Sequence, residues 1–341
     1  MSYTLTPWNK MSGTHAKRIF EYQFDGMGQL TPECHREWLK MRRVGIGGSD
    51  ISALTGCNKW KSAIDVFLDK TGRQTTKENE KMKWGKILED PVAREYGKVN
   101  GVKINRVNAM LQHPDHPHCI VNLDRMVRQN GRALPIFEHG NGVLEVKTTG
   151  WAQAWEGNEI PDMYYCQGQW ECGVSGLKWC QFATLISGQE LLIPKPFMFD
   201  ENFFGNMVQI AEKFWMDNVL KDVVPEVDNS PAAYDAVKKL FPTSQETKKA
   251  LPAKFGELIE KRKQLKELTA KAEAERKTID AMIMKEMGTN KWGIIGKHKV
   301  TKIIKHSSRF NSKDFKEKHN DLYIEFVTPS ESQYLMYGVN K

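Results

Sequence analysis

Cys119-Ile-Val-Asn-Leu-Asp124-Arg-Met-Val127 and, further on, Gly142-Val-Leu-Glu145-Val-Lys147-Thr-Thr149 decide how this chain folds. Both runs are short and rich in β-branched and aliphatic residues. A connection containing Gly and Asn separates them, which predicts two strands. Side chains alternate across a strand, so Leu144 and Val146 share one face while Val143, Glu145 and Lys147 share the other. Glu145 and Lys147 then project from that face about 7 Å apart along the chain. An acid and a base in an apolar strand are costly unless paired or bound to an ion. Asp124 sits in a similar apolar run and brings a second carboxylate to the same place if the strands pair. Two carboxylates can hold a divalent cation while the ammonium of Lys147 orients or polarises a water, a combination suited to phosphodiester hydrolysis. The plainer alternative is a surface ion pair.

Outward from these strands, Arg42-Arg43-Val-Gly-Ile-Gly-Gly-Ser49-Asp50 follows a predicted helix over residues 32–41. Ser49 or Asp50 can cap the next helix, with Ile51 and Leu54 inward and Gly56 as its stop. A glycine-rich turn opening onto a helix N-terminus is either a phosphate cradle or simply a turn. Residues 62–70 form a further helix burying Ile64, Phe67 and Leu68, and residues 73–82 read as an exposed loop. Trp84, Leu88, Val92 and Tyr96 recur every four residues as a helical stripe, which Pro91 must restart or kink. Glu89 stands beside that break. His113, His116 and His118 are spaced for a transition metal, although two intervening prolines also make a turn there. Pro161 opens a helix carrying Met163, Gln167, Trp170 and Val174 on one stripe, so Gln167 needs a polar partner. Tyr164, one turn earlier, is either a DNA contact or a core tyrosine. Residues 179–187 and 191–199 read as a hairpin, with Pro194 and Pro196 confining the second arm to a sheet edge. A long amphipathic helix through Phe204, Met207, Ala211, Phe214 and Trp215 follows.

Asp124 with Glu145-Val146-Lys147 resembles the D…E-x-K signature of restriction-endonuclease-like nucleases. More narrowly, the chain is similar to the phage lambda exonuclease family, the YqaJ-type viral recombinases. Four blocks carry the resemblance in family order: Trp38…Arg43-Val-Gly-Ile-Gly-Gly-Ser49, Trp84-Gly-Lys-Ile-Leu-Glu89-Asp-Pro-Val-Ala, Asp124…Glu145-x-Lys147, and Tyr164-Tyr-Cys-Gln167-Gly-Gln. One departure is Leu123-Asp124-Arg125, where the family has Pro-Asp-Gly. The resemblance implies an α/β fold, a restriction-endonuclease-like core with a mixed central sheet flanked by helices. It further implies that Asp124, Glu145 and the Val146 carbonyl hold Mg²⁺, or Mn²⁺ in its place. Lys147, Glu89 and Gln167 assist, and Arg43, Ser49 and Tyr164 contact DNA or its terminal phosphate. The implied activity is ATP-independent 5′-to-3′ digestion of linear duplex DNA, leaving a 3′ single strand for prophage recombination. A ring-shaped homotrimer and a single-strand annealing protein as partner are also implied. An endonuclease of the same fold, or a DNA-binding or annealing protein without catalysis, are the rival readings.

The 341 residues and 40% hydrophobic content support a sizeable core, and a net charge of +8 with a pI near 9.0 fits a polyanionic partner. The six cysteines form no CxxC pair, and there is neither an evident secretory signal nor a GxxxxGK[ST] phosphate loop. These features predict a cytoplasmic protein with reduced thiols and no ATP-driven motor. The expected division is an N-terminal arm (1–30), a nuclease core (31–225), and a C-terminal α+β extension (226–341). That extension comprises a linker, a charged helical segment read as a helical hairpin or partly docked arm, and a small basic β unit over residues 292–337. The lysines of the last unit, among them Lys297, Lys299, Lys302 and Lys305, fit nucleic-acid contact and plain solvation equally well.

Overall fold

The computed structural model describes residues 16–25, 30–74, 79–128, 140–328, 330 and 332–337. Most of the expected N-terminal arm, part of the 73–82 loop and the connection at 129–139 lie outside the described residues. In chain order, β1 (Lys17–Glu21) precedes α1 (Pro32–Met41), a 3-10 turn at Arg42–Val44, α2 (Gly48–Leu54), α3 (Ala63–Lys70) and α4 (Glu80–Asn100). Then come β2 (Lys103–Arg106), β3 (Ala109–Gln112), β4 (Ile120–Asn122), β5 (Arg125–Arg128) and β6 (Gly142–Thr149). A 3-10 segment at Ala152–Asn158 leads to α5 (Asp162–Ser175), β7 (Trp179–Ile186), β8 (Glu190–Leu192) and β9 (Phe197–Met198). After them run α6 (Glu201–Phe214), α7 (Pro231–Leu240), α8 (Lys254–Met287), β10 (Trp292–Ile295), β11 (His298–Thr301), α9 (Ser312–Lys318) and α10 (Asn320–Phe326).

The central sheet has the order β2-β5-β6-β7-β8, with β9 also paired to β7. β6 and β7 are parallel and the other pairings are antiparallel, so the sheet is mixed, as expected. A parallel neighbour needs a crossover, and α5 supplies it. The alternation of β6 sorts the core into two layers. Val143 faces a cluster with Cys166, Trp170 and Phe182, while Leu144 and Val146 face Val92, Ala93 and Tyr96 of α4. A second sheet, β1-β3-β4, extends the first layer through Ala109, Leu111 and Val121. β1 is a strand formed from residues that show no periodicity, because β3 provides its antiparallel partner.

Several elements differ from the sequence reading. The second arm of the expected hairpin is two short pieces, since neither Pro194 nor Pro196 can donate to the β7 ladder. α4 runs through Pro91 as one 21-residue helix, and its stripe is buried at Val92 and Tyr96 but exposed at Trp84. The linker expected at the start of the 226–341 extension contains α7, whose Ala236 packs on Ile64 and Leu68 of α3. The Lys239 ammonium, 2.8 Å from Asp65, secures that docking. Compaction accordingly divides the chain at Pro242/Thr243. In the second unit α8 is one continuous 34-residue helix rather than a helical hairpin, and among the described residues the expected β unit comprises β10–β11, followed by two short helices.

Candidate active site

β6 lies mid-sheet between β5 and β7, which buries its first five residues. Asp124 immediately precedes β5, whose register sets Arg125 opposite Leu144 and so carries Asp124 toward Glu145. Its Oδ2 accepts the Val146 N–H at 3.0 Å. Glu145 Oε1 accepts Lys147 Nζ at 2.6 Å and Gln167 Nε2 at 2.5 Å. Gln167 Oε1 in turn accepts Lys147 Nζ at 3.2 Å, so α5 closes a ring of three side chains over β6. The shared face of Glu145 and Lys147 and the inward Gln167 were legible as periodicity. The run from Cys119 to Val127, expected as one strand, is instead split at Asp124 into β4 and β5, which lie in different sheets.

Glu171 was not singled out. It lies one turn beyond Gln167, is 1% exposed, and its Oε1 accepts the same Gln167 Nε2 at 2.8 Å. The four-residue spacing on one helix face was the available signal. Glu145 Oε2 and Glu171 Oε2 are buried with no hydrogen-bond partner among the described residues.

Electrostatics follow from this crowding. Burial, then the Glu145 charge, pushes Asp124 up to about 7 against the pull of Lys147 and the Val146 amide. Burial and then Glu171 push Glu145 up to about 7, and burial pushes Glu171 up to about 8 despite the Gln167 hydrogen bond. Burial alone would lower Lys147, but Glu145 and Asp124 outweigh it and hold the ammonium above its ordinary range. Lys147 is thus a proton-bearing donor. Tyr164 lies against it, with the ammonium 5.0 Å from the ring centre, and stacks on Trp155.

Glu89 comes from α4. Burial and then Asp124 raise it, while Arg125 lowers it across a 2.5 Å contact. Arg125, the departure from Pro-Asp-Gly, is 2% exposed. It also reaches Asp90 Oδ1 at 3.0 Å and the carbonyl of Asp124 at 2.6 Å. Only the packing of α4 against the sheet reveals that role.

The glycine-rich turn is held as an extra edge on β4, with Ile46 N–H donating to His118 at 2.7 Å and Ile120 N–H to Ile46 at 3.0 Å. Gly45 has no room for a side chain there, since a Cβ would stand 2.7 Å from the His118 carbonyl oxygen. The cap of α2 is Gly47, not Ser49 or Asp50. Asp50 sits at the third helical position, where its carboxylate accepts the Gly47 N–H at 3.0 Å. Burial would raise Asp50, but Lys61, Lys70 and Arg42 hold it well below the usual range. A cavity of about 130 Å³ joins Gly47, Gly48 and Ser49 to Gln167 and Glu171, and Arg42 lines it, braced on Trp38. Arg43 is not in its lining; the guanidinium packs against Gly72. In the histidine run, His113 Nδ1 accepts the backbone N–H groups of Asp115 and His116, which is a turn.

Asp124, Glu145 and the Val146 carbonyl are the donors that a hard divalent cation prefers. The orphaned, buried Glu145 Oε2 and the excess of carboxylates over Lys147 fit such an ion. Among the described residues no three His, Cys, Asp or Glu side chains form a ligating group. Glu171 stands across the Gln167 amide from Glu145.

The model of the YqaJ-like viral recombinase domain matches residues 37–178, which span this site. The uncharacterized protein YqaJ of Bacillus subtilis (strain 168) is 32% identical over 312 residues, covering 89% of this chain and 94% of that protein. The chain belongs to the YqaJ-like viral recombinase family. That relative's reach carries family membership well beyond the matched domain. Among solved structures, the alkaline exonuclease LHK-Exo from Laribacter hongkongensis is similar at 16% identity, with a TM-score of 0.45, over 55% of this chain and 94% of that one. A phage-related exonuclease from Haemophilus somnus 129PT is similar at 11% identity, with a TM-score of 0.36, over 54% and 99%. Family membership rests on the sequence relative and not on these distant likenesses. No helix among the described residues is long and apolar enough to cross a membrane.

Proposed function

We propose that this recombinase-family chain is a divalent-metal-dependent, ATP-independent DNA exonuclease. It digests one strand of linear duplex from the 5′ end and leaves a 3′ single strand for annealing. The observation that carries the reading is the ring of Glu145, Lys147 and Gln167 beside Asp124, closed at 2.5–3.2 Å in a buried setting. Asp124, Glu145 and the Val146 carbonyl would hold Mg²⁺, with Mn²⁺ as a substitute. When bound, that ion supplies charge neutralisation at the phosphate and lowers the pKa of its water. Lys147, held 2.6 Å from Glu145, is placed to donate to the attacking water or to a phosphate oxygen. Gln167 fixes the ammonium's direction from α5. Glu89, restrained by Arg125, adds a carboxylate beside Asp124.

For the terminal phosphate, Arg42 and Ser49 are the proposed ligands, because both line the cavity that leads to Gln167. A guanidinium binds phosphate through two parallel hydrogen bonds. Tyr164 is proposed to act on DNA only through Lys147, given their contact. A homotrimer and an annealing partner accompany this reading on family grounds. Linear duplex labelled at either 5′ or 3′ end, with and without Mg²⁺ and without ATP, tests it. The expected outcome is metal-dependent release of the 5′ label first. Early release of the 3′ label would reverse the direction, and release in chelator would remove the metal.

A further inference from the structure

Residues 1–242 hold 29 Lys and Arg against 29 Asp and Glu, whereas residues 243–341 hold 21 against 13. The second unit therefore carries the whole net charge of +8. Within it, Lys291, Lys297, Lys299, Lys302, Lys305 and Arg309 all fall between Met287 and Lys313, a stretch with no Asp or Glu. That stretch is the β10–β11 ribbon and its tail. The register sets Trp292 opposite Thr301 and Ile294 opposite Lys299, so Trp292, Ile294 and Lys299 share a face. The ammonium groups of Lys291 and Lys299 lie 5.0 and 5.8 Å from the centre of the Trp292 ring. Lys302 instead closes the base of the ribbon on the Gly288 carbonyl at 2.6 Å.

Cations alone would suit any polyanion, but the ribbon also exposes a large apolar surface. Trp292 is 55% exposed, and Ile294, Ile295, Ile303, Ile304 and Phe310 are all at least 70% exposed. Duplex DNA hides its base faces, so such a surface has nothing to cover on it. A single strand offers phosphates and base faces together, and aromatic side chains interleaved with cations match both.

We propose that the β10–β11 ribbon and its tail through Phe310 bind single-stranded DNA, with Lys297, Lys299, Lys305 and Arg309 on phosphates and Trp292 stacked on a base. The site lies wholly in the second unit and does not rest on the nuclease reading. The test uses the full chain in chelator, so that hydrolysis plays no part, and follows the anisotropy of a labelled oligothymidine of about thirty nucleotides over a range of salt. Trp292→Ala should weaken binding roughly 5- to 150-fold, and Trp292→Phe should restore most of it. Replacing Lys297, Lys299 and Lys305 together by Ala should reduce the slope of log K against log salt by about 2. Binding to a duplex of the same length should change much less. Unchanged affinity in Trp292→Ala with an unchanged slope in the triple variant would overturn the proposal, and so would equal losses on single strand and duplex.

Discussion

Gln167 joins two buried carboxylates, giving one amide hydrogen to Glu145 and another to Glu171 while its oxygen takes Lys147. Lys147→Ala should therefore lower the initial rate of duplex digestion by at least about a hundredfold, the loss expected for one preorganised donor. Far-UV circular dichroism should not change; a variant that keeps near-normal rates would show that the ammonium has another role. Glu171 gives a pH prediction. Its folded-state value is raised from 4.5 to about 8, so between those limits the folded chain holds a proton that the unfolded chain has released. The contribution of Glu171 to stability then falls as pH rises through that window. In chelator, Glu171→Gln should melt several degrees above the wild type at pH 8.5 and with it at pH 4.5. A variant that melts lower at pH 8.5 would mean that Glu171 is charged and paired when folded. The terminal phosphate separates two neighbours: Arg42→Ala should slow digestion of 5′-phosphorylated ends by one to two decades and 5′-hydroxyl ends far less. Arg43→Ala should slow both ends equally or neither. At this scale the sequence was legible where period-two alternation applies, at Glu145 and Lys147. It was silent on Arg125, whose partners Glu89 and Asp90 come from a distant helix.

Between elements, α2 and α5 meet closely at Gly48, beside the candidate site. A Cβ on Gly48 would stand 2.9 Å from Gln167 Cγ and 3.3 Å from Glu171 Oε1. Gly48→Ala should accordingly displace Gln167, costing roughly 1–3 kcal/mol of stability and a larger share of the rate. Chemical denaturation and initial rates measured together check this; a stable variant with reduced rate would locate the damage in the ring over β6, and a fully active one would show that α2 moves freely. Helices with an apolar stripe were legible, as in α3 and α5. What failed were readings made from local composition alone. The Pro-, Asp- and Ser-rich stretch after Val223 looked like a linker, yet α7 has an alanine face that needs only the apolar side of α3. Residues 17–21 have no strand pattern of their own and take one from β3.

Over the whole molecule, charge and core are segregated: the unit that holds the candidate site is electrically balanced, and the excess lies after Pro242. Composition showed a basic protein without showing where the charge sits. Nothing in the periodicity encodes a symmetry, so the trimer is a question of mass. Light scattering at micromolar concentration should give three times the 39.2 kDa of one chain, and a monomer mass would remove the ring. The central claim, that Asp124, Glu145 and Lys147 hydrolyse DNA from an end with a divalent metal, has one direct test. Acid-soluble nucleotide should be followed from a linear duplex and from the same DNA as a covalently closed circle, with Mg²⁺, for the wild type and Glu145→Gln. The account predicts rapid release from the linear form by the wild type alone and none from the circle. Digestion of the circle, or undiminished release by Glu145→Gln, would contradict it.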